Sequence, residues 1–201
     1  MLARHGLRPR GIIHIGAHHC EERSEYHDLG VDDDRILWVE ANPDIVSRVR
    51  NRLPGTVRIV QAAISDKARA ASFHVTNNGM SSSLLELAEH KKQYPHIHVT
   101  HTLELETTTL PALLETLELE PSAYDTLVMD IQGAELLALR GMVSILHHFS
   151  SIFIEVNIEE LYAGCGRLCD IHPFLEHHGF KLTDIDMTPH GWGDALFIRR
   201  G

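Results

Sequence analysis

Five short stretches of the chain carry residue types capable of chemistry, and each one closes an apolar run. They are His14-Ile15-Gly16-Ala17-His18, Glu40-Ala41-Asn42, Ala62-Ala63-Ile64-Ser65-Asp66, Asp130-Ile131-Gln132-Gly133 with Glu135 just beyond, and Glu155-Val156-Asn157. A carboxylate that ends an apolar run sits at the edge of the solvent, and because burying it without a partner is costly it marks a place where a ligand can be met. Glu40 stands where a ribose diol donates hydrogen bonds in nucleotide-binding sheets, or else it opens the cap of the next helix. Asp130 and Glu135 are suited to acid-base work. Gly16 serves a tight strand-to-helix turn or the close approach of backbone to a ligand, and Asp66 either starts a turn with Lys67 or faces the site. Asn42, ahead of Pro43, has the form of a helix N-cap.

The remaining reactive residues point elsewhere. His96, His98 and His101 lie close in sequence, but no carboxylate or cysteine completes a tetrahedral spacing, so no metal role is assigned to them. His147-His148 and His177-His178 fall near helix ends, where an imidazole interacts well with the last carbonyls. The cysteines are three, Cys20, Cys165 and Cys169, an odd number at spacings that fit neither a disulfide framework nor a zinc knuckle. A reducing, cytoplasmic setting is expected. With 18 basic against 28 acidic residues the formal charge is −10, and the basic ones form no long block, which argues against nucleic acid as a partner. No apolar run approaches the ~20 residues of a membrane span, and the first ten residues lack the apolar core of a signal peptide.

Positioning five such stretches requires an alternating framework. Apolar runs at 12–15, 36–39 and 57–60 read as strands, separated by helical patterns over 20–29 and from Pro43 to just before Pro54-Gly55. Because strand-helix-strand crossovers are right-handed almost without exception, the first half should be ordered 3-2-1. Segments 71–76 and 100–109 look extended, with the polar stretch 77–83 between them; a loop so rich in small polar residues reads either as a lid or as an exposed hairpin loop. The alternation then resumes: helix 110–119, strand 126–129, helix 134–146, strand 152–156, helix 168–177, and strands 181–186 and 195–199 as an antiparallel hairpin. Neither linker nor repeat is visible, so residues 1–201 should form one domain. In such open sheets ligands bind at the carboxyl ends of the strands where their order reverses, here between the first strand and the one ending at Asp130.

The turn Ile13-His14-Ile15-Gly16-Ala17-His18, the stretches Trp38-Val39-Glu40-Ala41-Asn42-Pro43 and Ala62-Ala63-Ile64-Ser65-Asp66, and above all Met129-Asp130-Ile131-Gln132-Gly133-Ala134-Glu135-Leu136 with Leu139-Arg140-Gly141 resemble the FkbM family of S-adenosylmethionine-dependent methyltransferases. The resemblance runs in register from about Gly11 to Arg199, and Glu155-Val156-Asn157 fits the fifth strand. It implies a class I methyltransferase fold, a Rossmann-like three-layer α/β sandwich whose seven-stranded, mostly parallel sheet is ordered 3-2-1-4-5-7-6. It also implies S-adenosylmethionine as cofactor and O-methylation of a hydroxyl on a sugar, glycan or other small molecule. On this reading Gly16 lets the backbone approach the methionine moiety, whose carboxylate His14 can hydrogen-bond, Glu40 holds the ribose hydroxyls, and Ile64 with Asp66 faces the adenine, while Ala17, His18, Ala41, Asn42, Ala63 and Asp130 are further cofactor-binding residues. This chain departs from the family where His14 replaces a common acidic residue, His18 an asparagine and Cys20 a second glycine.

Methyl transfer to a hydroxyl requires the acceptor to be positioned and its proton removed. Asp130 is the expected base and Glu135 the group that orients substrate. Alternatively Asp130, Glu155 and Asn157 hold Mg²⁺, whose preference is for hard oxygen ligands. Two rivals remain: a module of the same fold that binds the cofactor without turnover, and a dinucleotide oxidoreductase, which the lack of GxGxxG after the first strand disfavours.

Overall fold

Runs of Ile, Leu and Val in this chain are long enough for strands and too short for helices, and in the computed structural model, which describes residues 1–200, they form the centre of a twisted sheet. β1 (Ile12–Ile15) and β2 (Ile36–Glu40) are buried along their whole length, as strands covered by helices on both faces must be. Between them lies α1 (Arg23–Asp28). α2 (Pro43–Arg52) follows β2, its first turn closed by the Asn42 side chain, which accepts from the Asp44 N–H, and leads to β3 (Ile59–Gln61).

β4 (Ala63–Ile64), β5 (Arg69–Thr76) and β6 (Val99–Thr108) build a separate small sheet, ordered β4-β6-β5, and α3 (His90–Gln93) lies within its long β5–β6 connection. The main sheet resumes with α4 (Leu110–Thr116), β7 (Thr126–Met129), α5 (Glu135–Gly141), β8 (Ser151–Asn157), α6 (Leu168–His177), β9 (Phe180–Met187) and β10 (Trp192–Arg199). Its order is β3-β2-β1-β7-β8-β10-β9. Numbered within this sheet alone, that is 3-2-1-4-5-7-6, with the small sheet inserted between its third and fourth strands. β1 runs parallel to both β2 and β7, so the order reverses at β1, while β10 is antiparallel to β8 and β9.

Alternate side chains feed two cores. Ile13, Ile15, Val39, Leu127 and Ile154 face Leu114, Leu139, Ile171 and Leu175 on one side; Ile12, Ile36, Trp38 and Val128 meet Tyr26, Val46 and Val49 on the other. Among the described residues no helix is long and apolar enough to cross a membrane.

The structure corrects several boundaries. The helix expected from residue 20 starts at Arg23, because residues 17–20 are used in a tight turn in which the Cys20 N–H donates to Ala17 O at 2.7 Å. The helix expected over 134–146 ends at Gly141 and gives way to a 3₁₀ turn, Val143–His148. The third strand begins two residues later than expected, where Ile59 comes into register with Trp38. β4 and α3 were not foreseen, since two and four residues are too few to show a period.

Candidate active site

The reversal at β1 opens a crevice of about 210 Å³ at the carboxyl ends of β1, β2 and β7. Its wall gathers His14, Gly16, Ala17 and His18 from the first turn, Glu40 and Ala41 from the second, Ala63 and Ile64 from β4, and Asp130 from the end of β7. Of the expected cofactor and catalytic residues, three stay outside it. Asn42 caps α2, Asp66 is held in its turn by Ser65 and by Arg69 at 2.8 Å, and Glu135 lies beneath the floor.

Gly16 supplies the geometry of the first turn. Its φ is +88°, and a Cβ at this position would stand 1.8 Å from the Asp130 carbonyl oxygen, so β1 and β7 could not both finish where they do with any other residue. The N–H groups of Gly16 and Ala17 donate to Val39 O at 2.9 and 3.0 Å, closing the turn over β2. His18 and Cys20 also have positive φ, +41° and +57°. Glycine and asparagine adopt that conformation most readily, so a histidine and a cysteine are uncommon at such positions.

Glu40 is buried, and its two oxygens accept from the His18 N–H at 2.9 Å and the Asn42 N–H at 2.8 Å. The carboxylate therefore ties together the turns after β1 and β2. Each oxygen keeps a further lone pair for a ligand hydroxyl in the crevice. Burial raises its pKa, the backbone bonds opposing the shift.

His14 lies at the base of the crevice with only 4% of its side chain exposed. Its Nδ1 is 2.9 Å from the Tyr26 hydroxyl and its ring packs on Trp38. Burial lowers its pKa to about 3, so near neutral pH it carries no charge to offer a carboxylate.

Asp130 is exposed into the crevice, although protein surrounds it on its other sides. The Gln132 amide donates to Asp130 Oδ1 at 2.6 Å and to Glu155 Oε2 at 3.0 Å, and accepts from the Tyr162 hydroxyl at 2.5 Å. Oxygens of Asp130, Glu135 and Glu155 lie within 4.8 Å of one another. Burial raises the pKa of all three; the charge of Asp130 adds to the shift at Glu135, which reaches about 7, and at Glu155.

Glu135 is fully buried; its Oε1 accepts from the N–H groups of Ile131 at 2.9 Å and Gly133 at 3.2 Å, so it holds the turn that presents Asp130 and Gln132. Its Oε2 has no hydrogen-bond partner, and neither has either amide atom of the buried Asn157.

Glu21 and Glu22 ahead of α1 and Phe73 on β5, not singled out in the sequence, complete the wall with Gln132 of the Asp-Ile-Gln-Gly turn and with Gly79, Met80 and Ser82 of the 77–83 loop. The signal for Gln132 lay in the Asp-Ile-Gln-Gly turn itself. Nothing in the spacing of Glu22 or Phe73 distinguishes them from a solvated face and a sheet interior.

Sheet order, switch-point crevice and acidic strand ends together define the class: a Rossmann-like α/β protein of the class I S-adenosylmethionine methyltransferase type. The chain belongs to the Methyltransferase FkbM domain family, which it matches over residues 14–182. It is 27% identical over 139 residues to the 2-O-methyltransferase NoeI of Sinorhizobium fredii, a stretch covering 65% of this chain and 56% of that protein. In structure it is similar to the methyltransferase FkbM from Methylobacillus flagellatus KT, with a TM-score of 0.58 and 12% identity over 94% of this chain and 43% of that one. A S-adenosylmethionine-dependent methyltransferase from Aquifex aeolicus gives a TM-score of 0.55 and 10% identity over 99% of this chain and 87% of the other. The chain thus spans little more than half of the NoeI protein and less than half of the Methylobacillus one.

Proposed function

We propose that the chain is an S-adenosylmethionine-dependent methyltransferase that O-methylates a hydroxyl of a sugar, glycan or other small metabolite. The observation that carries this reading is the placement of Glu40 and Asp130 on opposite sides of the Gly16 turn, in one crevice, within a chain of the FkbM family. The NoeI relative, named as a 2-O-methyltransferase, supports oxygen as the acceptor atom. The residues present fit the cofactor: Glu40 retains lone pairs for a ribose diol, and Ala62, Ala63, Ile64 and Phe73 offer an apolar slot for a base. When bound, the cofactor supplies a sulfonium methyl, whose transfer breaks the carbon–sulfur bond and leaves a thioether. Asp130 accepts the proton released by the acceptor hydroxyl as its oxygen bonds to the methyl carbon. Gln132, anchored by Tyr162 and by the Ser83 hydroxyl at 2.7 Å to its carbonyl, keeps that carboxylate in place. Glu135 keeps the turn itself in place.

Asp130→Asn should therefore keep the fold and most of the cofactor affinity while lowering turnover by about 10² to 10⁴, the range for loss of general acid-base catalysis. The check is calorimetric titration with S-adenosylmethionine followed by methyl transfer to a panel of sugars and glycans. Wild-type turnover by the variant would reject Asp130 as the base, and tight cofactor binding without turnover on any acceptor would favour a binding module.

One observation favours a second reading. The clustered oxygens of Asp130, Glu135 and Glu155, with unpartnered atoms on Glu135 and Asn157, make a set of hard donors suited to Mg²⁺. Activity that disappears with EDTA and returns with Mg²⁺ would support it; activity indifferent to EDTA leaves Asp130 as a base.

A further inference from the structure

The wall of the crevice carries charge of one sign. Glu21, Glu22, Glu40 and Asp130 line it, and among the described residues no lysine or arginine does. Its two histidines do not redress the balance. His14 is buried against Tyr26 and Trp38, and His18 Nδ1 stands 2.7 Å from the Glu21 carboxylate. Under the floor, Glu135 and Glu155 bring two further carboxyl groups to Asp130, but burial raises the pKa of both and favours their protonated forms, so the field in the crevice comes from the groups of its wall. Glu22 has a side chain 43% exposed and, among the described residues, no lysine or arginine within ion-pair distance; the basic group within 4 Å, His14 Nδ1 at 3.9 Å, is uncharged near neutral pH, and burial raises the Glu22 pKa. A cleft with low-dielectric walls focuses the field of such a set and raises the local concentration of ligands of opposite sign.

We infer that the crevice selects its ligand by positive charge, with Glu22 as a specificity-determining residue, and so holds the cationic cofactor more tightly than the neutral product left after transfer. This rests on the cofactor reading above. S-adenosylmethionine carries a sulfonium and an ammonium against one carboxylate, a net charge of +1. Transfer of the methyl converts the sulfonium to a thioether, and S-adenosylhomocysteine is left with ammonium and carboxylate, net zero. The attraction that draws the cofactor in is therefore lost at the moment of turnover. The same field opposes anionic ligands, dinucleotides and phosphorylated acceptors among them, and leaves neutral hydroxyl compounds as the acceptor class.

The test is calorimetric titration of the whole chain and of Glu22→Gln with three ligands: S-adenosylmethionine, S-adenosylhomocysteine, and sinefungin, which carries an amine in place of the methyl sulfonium and is cationic but unreactive. At low ionic strength both cationic ligands should bind at least about tenfold more tightly than the neutral one, and the gap should narrow as salt is raised. Glu22→Gln should shrink the gap several-fold while leaving the affinity for S-adenosylhomocysteine nearly unchanged; Glu21→Gln serves in its place if the first variant melts early. Equal or tighter binding of S-adenosylhomocysteine, or a gap that salt does not alter, overturns the inference and leaves the cofactor reading standing. Absence of binding by all three removes the cofactor reading, and the inference with it.

Discussion

A carboxylate at a strand end can serve the chain or a ligand, and Glu40 does the first while remaining able to do the second. Its bonds to the His18 and Asn42 N–H groups occupy one lone pair on each oxygen. Glu40→Ala should weaken S-adenosylmethionine binding by about 1 to 3 kcal/mol, the usual range for hydrogen bonds to a charged group. Part of that loss would come from the two turns it ties together, so Glu40→Gln, which keeps one acceptor oxygen, should fall between Ala and wild type. Calorimetric affinities that match wild type in folded variants would remove the ribose assignment. At this scale the sequence was legible where a polar type interrupts an apolar run, as at Glu40, Asp130 and Glu155. It was not legible where the reason lies in backbone conformation or in the third dimension. The positive φ of His18 and Cys20 cannot be read from a histidine and a cysteine, and the convergence of Glu135 on Asp130 and Glu155 depends on two strands and a turn meeting.

Elements set what these residues can do, and the start of α5 is the clearest case. The Asp-Ile-Gln-Gly turn leaves N–H groups without helical partners, and Glu135 reaches back to take two of them. Burial, with the nearby charge of Asp130 adding to it, raises its pKa from 4.5 to about 7. Between those two values the folded chain holds a proton that the unfolded chain has released, so this group's contribution to stability falls as pH rises through the window. Glu135→Gln keeps an acceptor for the backbone and removes the titration. Its stability relative to wild type should therefore climb across that pH range, as read by urea unfolding at a series of pH values. A difference that stays flat with pH would place the retained proton on Asp130 or Glu155. The β5–β6 connection makes a second case. Its 77–83 segment is braced locally, Asn78 Oδ1 accepting from the Thr76 hydroxyl at 2.7 Å and the Ser81 N–H at 3.2 Å, while Met80, 67% exposed, reaches the crevice. Bound cofactor should slow amide exchange in this segment; unchanged exchange would make it a fixed wall and not a lid. The polar composition of 77–83 pointed to the loop, but its place over the crevice follows from the small sheet, whose shortest strand has only two residues.

At the scale of the whole molecule, the order of the main sheet was legible because crossover handedness leaves so few alternatives once strands and helices alternate. The small sheet was legible only as the extended segments 71–76 and 100–109, since its strands pair across more than twenty residues and nothing local fixes which strand meets which. The two sheets are nonetheless joined at several places. The Ala62 N–H donates to Glu40 O at 3.0 Å, the Ser83 hydroxyl to Gln132 O at 2.7 Å, and the Ala163 N–H to Glu86 O at 2.8 Å. α5 ends against the β4 side of this junction at Gly141, where an added Cβ would stand 2.2 Å from the Ser65 carbonyl oxygen. We expect residues 1–201 to unfold as one cooperative unit, with the fluorescence of Trp38, fully buried in the main sheet, and far-UV dichroism tracing the same transition. Exchange of the β5 and β6 amides should then converge in denaturant on the same free energy as that of β1 and β7. Gly141→Ala, which forces the junction apart, should lower stability by about 1 to 3 kcal/mol, the range for overpacking a tight contact, and should move both probes together. If instead the β5 and β6 amides exchange through a lower-energy opening while Trp38 stays protected, or if Gly141→Ala shifts only one probe, the small sheet is a separate folding unit and the single-domain reading fails.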